Sequence, residues 1–192
     1  MQKSLNDEHV SAAWKLTDFD EGTTNGAVNN AAAEARRLQN LLSYNLLENR
    51  RQDPEMDELT LSAQCQFAVP MAAISVVDLG CQWFKSTQGM NGIRGTSRKV
   101  AFCAHTVQRK PGCGVLIVPD ASQDPRFREN PLVTGPWHVR FYAGAPIRSP
   151  EGEVLGVFCI LDTQPRPEGL TQTQQSALKA LADCAMANIL MA

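Results

Sequence analysis

The sequence has no long hydrophobic run, little excess charge of either sign and no closely paired cysteines. No apolar stretch approaches the roughly 20 residues that cross a bilayer, and the N-terminus lacks the apolar centre of a secretory signal. The formal net charge is −2, which gives no electrostatic basis for binding nucleic acid or an anionic membrane. The six cysteines include no Cys-x-x-Cys motif, as is typical of reduced thiols. These absences predict a cytoplasmic protein that binds neither nucleic acid nor membrane.

Several motifs of common enzymes are also missing. The glycines around Gly89 and Gly92 fit neither dinucleotide-binding nor Walker spacing, and there is no HExxH motif and no nucleophile elbow. Cys103, His105 and Cys113 form a Cys-x-His-x7-Cys pattern, which is not a zinc-binding spacing. The sequence therefore predicts no metal site.

The composition changes near residue 33. Residues 18–33 are rich in Asn, Thr, Gly and Ala and contain little that could pack, so the apolar area they could bury does not offset the entropy of ordering them. The rest of the chain is richer in large apolar residues, and 43% of the whole sequence is hydrophobic. We predict a flexible N-terminal tail over residues 1–33 and one domain over residues 34–192.

Hydrophobic periodicity predicts helices at both ends of this domain. A leucine stripe marks the first helix, and Asp53 followed by Pro54 is typical of the start of a second. The Thr171-x-x-Gln174 capping box begins a final amphipathic helix. The residues predicted to face the core are Leu38, Leu41, Leu42 and Leu46 in the first helix, Met56, Leu59, Ala63 and Phe67 in the second, and Leu178, Leu181, Ala182, Ala185, Ile189 and Leu190 in the last.

Between the helices, the pattern predicts strands over residues 72–77, 81–86, 115–118, 140–149 and 154–161. The last of these has no charged residue, which indicates a central strand buried on both faces. Residues 88–98 are predicted to be a loop and residues 100–108 a short helix. An antiparallel sheet with helices segregated to its faces is an α+β fold.

Seven segments of this region resemble a known family, the GAF domain, in the form found as a sensory module upstream of bacterial cyclases and histidine kinases. The segments are QWFKS (82–86), FCAH (102–105), VPDA (118–121), DPRF (124–127), NPLV (130–133), FYAGAP (141–146) and LGVFCILD (155–162). The resemblance covers about residues 38–190.

The resemblance implies a GAF-like six-stranded antiparallel sheet, with the N- and C-terminal helices on one face and a ligand pocket on the other. Such domains bind cyclic nucleotides, tetrapyrroles or small metabolites and commonly pair through their terminal helices. No segment up to Ala192 resembles an output domain. The expectation is a stand-alone, cytoplasmic sensory module that binds an unknown small molecule, requires no cofactor and forms a homodimer. A signalling protein is its expected partner, and the chain itself is expected to be a binding module rather than an enzyme.

The candidate ligand-binding residues lie mainly in the segment 120–138. They combine apolar side chains with polar groups of both signs, as a small-ligand site requires, although the charged residues could equally cap turns and pair with one another. The predicted set is Trp83, Phe84, Cys103, His105, Asp120, Asp124, Arg126, Phe127, Trp137, His138 and Tyr142.

Other functions remain open at this point. A thiol-dependent reductase resembling free methionine-(R)-sulfoxide reductase would use Cys103 as its nucleophile, but residues 131–141, where the resemblance places the catalytic cysteine of that family, contain no cysteine. Covalent bilin attachment would need a histidine directly after Cys103, where Ala104 stands; haem would need His105 or His138 as an axial ligand. A ligand-less adaptor would keep only the dimerising helices, Leu38–Leu47 and Leu178–Leu190.

Overall fold

The fold is described by a computed structural model that covers residues 31–47, 53–110 and 112–191. The helices are α1 (Ala31–Ser43), α2 (Pro54–Phe67), α3 (Phe102–Val107), α4 (Pro131–Thr134) and α5 (Gln172–Met191). The strands are β1 (Met71–Val77), β2 (Cys81–Gln88), β3 (Gly95–Ser97), β4 (Leu116–Val118), β5 (Phe141–Arg148) and β6 (Val154–Asp162).

The six strands form one antiparallel sheet in the order β3-β2-β1-β6-β5-β4. Strand β6 lies inside the sheet and is buried along its whole length, as its lack of charge before Asp162 predicts. Side chains alternate along the strands and pack into two separate hydrophobic cores, one on each face of the sheet. Helices α1, α2 and α5 cover one face, and α3, α4 and the β4–β5 connection cover the other. The predicted α+β fold is therefore confirmed.

The helix starts follow the predicted local chemistry. The Asp53 carboxylate accepts a hydrogen bond from the Glu55 amide at 3.0 Å and caps α2. The Thr171 hydroxyl accepts a hydrogen bond from the Gln174 amide, and the Gln174 side chain accepts one from the Thr171 amide. Both capping predictions are confirmed.

Two leucines assigned to buried stripes are exposed instead. Leu42 is 59% exposed and Leu190 is 53% exposed, so these two assignments are wrong. Helix α1 ends at Ser43, and the chain turns through Asn45 (φ 52°), which buries Leu46 from the turn while Leu42 faces outward. Helix α1 begins at Ala31, so residues 31–33 of the predicted tail are helical, and residues 1–30 lie outside the described residues.

Strand β3 lies within the segment predicted to be a loop. It is an edge strand of three residues that pairs with β2, with Cys81 opposite Ser97 and Gln82 opposite Thr96. Its sequence, Gly-Thr-Ser, carries no apolar alternation, so hydrophobic periodicity gives no signal for it.

A bulge in β2 determines which of its side chains face the two cores. Ile74 pairs with Ser86 but Ser75 pairs with Phe84, which leaves Lys85 as the extra residue. Phe84 packs against the core beneath α3, and Trp83 packs against the core beneath α2 and α5. The two aromatic side chains therefore lie on opposite faces, as neighbouring side chains of a strand do.

Candidate functional site

A small cavity lies on the sheet face opposite α1, α2 and α5. Its walls are mostly apolar and come from β1, β2, β5 and β6, from the β2–α3 segment, and from the β4–β5 connection. The cavity has a volume of about 30 Å³, which is room for roughly two or three waters. The lining residues are Met71, Gln82, Phe84, Met90, Ile93, Thr96, Ala101, Phe102, Cys103, Leu132, Trp137, Val139, Tyr142, Cys159 and Leu161.

Two polar atoms of this wall form no hydrogen bond within the described part of the chain. They are Gln82 Oε1 and Thr96 Oγ1, both fully buried, on residues that lie opposite each other in β2 and β3. A buried polar atom without a partner costs about 1–3 kcal/mol, so such atoms usually meet an ordered water or a ligand. The cavity can therefore accept a polar group at this one place.

A chain of hydrogen bonds runs from α3 to a pair of thiols. The hydroxyls of Thr106 and Tyr142 are 3.0 Å apart, and the Tyr142 hydroxyl donates to Cys103 Sγ at 3.4 Å. Cys103 Sγ lies 3.7 Å from Cys159 Sγ, which β6 supplies. All four residues are buried, and both thiols line the cavity.

The surroundings separate the pKa values of the two thiols. Burial raises the pKa of Cys103, but hydrogen bonds from four side chains outweigh burial and lower it. The pKa of Cys159 is raised by its hydrogen bond with Cys103 and by burial. Cys103 is therefore the more acidic thiol of the pair. The four side chains are Cys159, Ser75, Tyr142 and Gln82.

Gly144 makes room for the Tyr142 ring. A Cβ atom at position 144 would collide with the Tyr142 hydroxyl and would lie 2.9 Å from a methyl of Val157. The space that this glycine leaves on the sheet is therefore filled by the neighbouring tyrosine.

Four of the predicted binding residues line the cavity: Phe84, Cys103, Trp137 and Tyr142. Trp83 does not line the cavity, because it lies on the face covered by α1, α2 and α5. There its indole N–H donates to the Asp78 carboxylate at 2.8 Å. Sequence reasoning missed the other eleven lining residues, and Gln82, Thr96 and Cys159 are the three of these that carry a polar group or a thiol. Gln82 was detectable, because it lies two residues before Phe84 and so shares its face of the strand.

The charged residues of segment 120–138 act within their own turns. The Asp120 carboxylate accepts hydrogen bonds from the amide and hydroxyl of Ser122. The Asp124 carboxylate accepts two hydrogen bonds from the Arg126 guanidinium, at 2.9 and 2.6 Å. None of these three residues lines the cavity, so their contact with a ligand stays a prediction.

The remaining predicted residues, His105, Phe127 and His138, also lie outside the cavity wall. The ring of Phe127 stacks on that of Phe102, with centroids 4.2 Å apart, and forms a T-shaped contact with the His105 ring, with centroids 4.7 Å apart. Burial and the nearby Arg126 charge lower the pKa of His105 to about 4, against the opposing charge of Asp124. His138 is exposed, and its ring lies 2.7 Å from the Arg140 guanidinium.

Within residues 31–47, 53–110 and 112–191, no three His, Cys, Asp or Glu side chains come together in a way that could hold a metal ion. No helix in these ranges is long and apolar enough to span a bilayer.

Comparison with known proteins agrees with this fold. Residues 27–189 match the GAF domain family. A cyclic di-GMP phosphodiesterase of Pseudomonas aeruginosa is 41% identical over 137 residues, which are 71% of this chain but only 22% of that protein's length. A GAF domain from a Coxiella burnetii phosphoenolpyruvate-protein phosphotransferase superposes with a TM-score of 0.58 at 18% identity, covering 84% of this chain and 95% of that one. Free methionine-R-sulfoxide reductase from Neisseria meningitidis superposes with a TM-score of 0.55 at 14% identity, covering 87% and 95%. This chain belongs to the GAF domain family.

Proposed function

We propose that this chain is a sensory module whose cavity binds a small neutral molecule and passes occupancy to the terminal helices. The observation that carries the proposal is the pair of buried atoms, Gln82 Oε1 and Thr96 Oγ1, in an otherwise apolar wall. A mostly apolar ligand with one hydrogen-bond donor would fill the cavity and satisfy the Gln82 carbonyl. The ligand-less adaptor is less well supported, because it gives these two atoms no role.

The lining favours a neutral ligand over a nucleotide. None of the fifteen lining residues is charged, so a cyclic nucleotide phosphate would be buried without a cation. A tetrapyrrole also does not fit, because no histidine lines the wall and the space is far smaller than a macrocycle. Larger ligands would require Trp137 and Leu132 to move away from the wall.

The segment from β3 to the start of α3 connects the cavity to α1. Thr96, Ala101 and Cys103 of this segment line the cavity. Arg98, between them, donates to the Glu34 carboxylate of α1 at 2.5 Å. A ligand that favours one position of this segment would therefore also favour one position of α1.

The expected partners are a second copy of this chain and a signalling enzyme. Exposed apolar side chains on three helices of one layer support pairing of copies: Leu42 of α1, Leu61 of α2, and Leu190 and Met191 of α5. The match to about a fifth of a cyclic di-GMP phosphodiesterase supports regulation of a catalytic domain of that kind.

A thiol-dependent reductase is the second candidate, because Cys159 supplies the second thiol that residues 131–141 lack. Its Sγ lies 3.7 Å from the Cys103 Sγ, close enough to resolve an oxidised intermediate. Free methionine sulfoxide is larger than the described cavity, so this activity would require the cavity to widen. If the protein reduces methionine sulfoxide in the presence of dithiothreitol and the Cys103→Ser variant does not, the chain is a reductase and not only a binding module.

A thermal-shift screen tests the proposed sensor. The probes are neutral alcohols and amides of up to about four heavy atoms, beside cyclic AMP, cyclic GMP and cyclic di-GMP. We expect saturable stabilisation by a subset of the neutral probes and none by the nucleotides. The Gln82→Leu variant should lose the response, and Gln66→Leu, on the exposed side of α2, should keep it. Stabilisation by nucleotides alone, or an equal response in Gln82→Leu, would contradict the proposal.

A further inference from the structure

The two cavity thiols are placed for oxidation as a pair. Cys103 is 1% exposed and Cys159 is 2% exposed, and their sulfur atoms are 3.7 Å apart on two different elements, α3 and β6. The other four cysteines are more exposed. A disulfide holds its sulfurs at about 2 Å, so a modest approach of α3 to β6 would join this pair.

We propose that Cys103 and Cys159 form a reversible disulfide when hydrogen peroxide enters the cavity. The Cys103 thiolate attacks one peroxide oxygen, the O–O bond breaks, and Cys103 becomes a sulfenic acid while the second oxygen leaves as hydroxide. Cys159 then attacks the Cys103 sulfur and water leaves. The two thiols are oxidised, the peroxide is reduced, and the two thiol protons end in the two waters formed.

The site assigns different roles to the two thiols. The Tyr142 hydroxyl donates to Cys103 Sγ at 3.4 Å and stabilises negative charge there, so Cys103 is the attacking thiol. Cys159 keeps its proton until the sulfenic acid forms. No charged group lines the wall, so the thiolate has only these hydrogen bonds to stabilise it.

The size of the cavity selects the oxidant. Space for about two or three waters admits hydrogen peroxide, which is only slightly larger than water, and excludes bulky organic hydroperoxides. The inference rests on the proposed function in one respect, since the cavity has to admit a small neutral solute.

Oxidation would act on the same route as ligand binding. Drawing Cys103 toward β6 moves the N-terminal end of α3, which follows the turn that carries Arg98. Arg98 is bonded to Glu34, so the position of α1 would report the redox state of the pair.

Peptide mapping tests the linkage directly. The reduced protein is treated with one to five equivalents of hydrogen peroxide, alkylated in denaturant and digested with trypsin without reductant. Cleavage places Cys103 in peptide 100–109 and Cys159 in peptide 149–179, apart from the other cysteines. We expect these two peptides joined, two hydrogens lighter than their sum, and separated by dithiothreitol.

Matched variants assign the roles. In Cys159→Ser, Cys103 should be trapped as a sulfenic acid by dimedone that is added together with denaturant, and no linked peptide should form, whereas Cys65→Ser, at an exposed thiol, should keep the linkage. The proposal would be overturned if Cys103 and Cys159 were recovered as separate alkylated peptides under conditions that oxidise Cys65. It would also be overturned if Cys103 were found only as a sulfinic acid. The wild-type map decides this even if Cys159→Ser fails to fold. A negative map beside a positive thermal-shift screen overturns the disulfide and leaves the sensor intact.

Discussion

The guanidinium of Arg98 lies 2.5 Å from the carboxylate of Glu34, although 64 residues separate them in the sequence. Arg98 is fully buried and also donates to the Asp78 carbonyl at 2.6 Å, and Glu34 accepts two hydrogen bonds from Arg37. Burial raises the pKa of Glu34, but the two arginines outweigh burial and hold the pKa below its ordinary value. This ion cluster ties α1 to the segment that lines the cavity.

Removing the carboxylate from this cluster should be strongly destabilising. Glu34→Ala leaves two buried arginines without their shared anion, which should cost about 3–5 kcal/mol in the free energy of unfolding. Arg36→Ala is the matched control on the same helix, because the Arg36–Glu153 pair is 3.8 Å apart with the Arg36 side chain 63% exposed; it should cost less than about 1 kcal/mol. Urea denaturation at pH 7 measures both, and equal losses would contradict a structural role for the cluster.

His105 should make stability depend on pH between about 4 and 6.5. Its pKa is about 4 in the fold and about 6.5 in the unfolded chain, so the unfolded state binds the proton first as the pH falls. Stability should therefore decline from pH 6.5 to 4, by at most about 3 kcal/mol from this group. In His105→Gln the decline over this range should be smaller, and a decline equal to that of the wild type would contradict the role of His105. Urea titrations at half-unit pH intervals provide the measurement.

Replacing Gln82 with leucine should not weaken the ligand-free protein. The substitution removes a buried oxygen that has no partner in the described chain and adds apolar surface of similar volume, and these two gains offset the loss of the Gln82 hydrogen bond to Cys103. We expect the free energy of unfolding to be unchanged or to rise by about 1 kcal/mol. A loss of more than about 2 kcal/mol would mean that the Gln82 oxygen is already satisfied in the free protein.

The Tyr142 hydroxyl should control the rate of Cys103 oxidation. Tyr142→Phe removes the donor to Cys103 Sγ, which should raise the Cys103 pKa and slow peroxide oxidation several-fold near pH 7. The pH–rate profile should move to higher pH, which a purely structural role would not cause. Tyr44→Phe is the control, because Tyr44 donates to the distant Glu151 carboxylate. A profile that does not move would contradict the role of Tyr142.

Hydrophobic patterning located most of the fold because its signals are local. The uncharged run before Asp162 predicts β6, and the Asp53 and Thr171 caps predict two helix starts. Strand β3 escaped prediction because an edge strand needs no apolar side chains, only backbone pairing with β2. Leu42 and Leu190 were misassigned because periodicity gives the angular position of a residue but not where a helix ends or what covers its face.

The site was only partly predictable, for a different reason. Phe84 and Tyr142 could be placed from strand alternation and from the segments that resemble the family. The charges of Asp124 and Arg126 suggested ligand binding, but the Arg126 guanidinium donates hydrogen bonds to the Asp124 carboxylate two residues earlier. The approach of Cys159 to Cys103 depends on how α3 packs on β6, and no local pattern encodes that distance.

Methyl NMR of the methionines tests the central claim most directly, because Met71 and Met90 line the cavity, Met56 lies in the opposite core and Met191 is 76% exposed. With 13C-methyl-methionine labelling, the neutral probes that stabilise the protein are titrated into the reduced chain. We predict saturable shifts at Met71 and Met90, little change at Met56 and Met191, and loss of the response in Gln82→Leu. If Met71 and Met90 stay fixed throughout the titrations, or if all four methyls move together, no ligand enters this cavity and the account is contradicted.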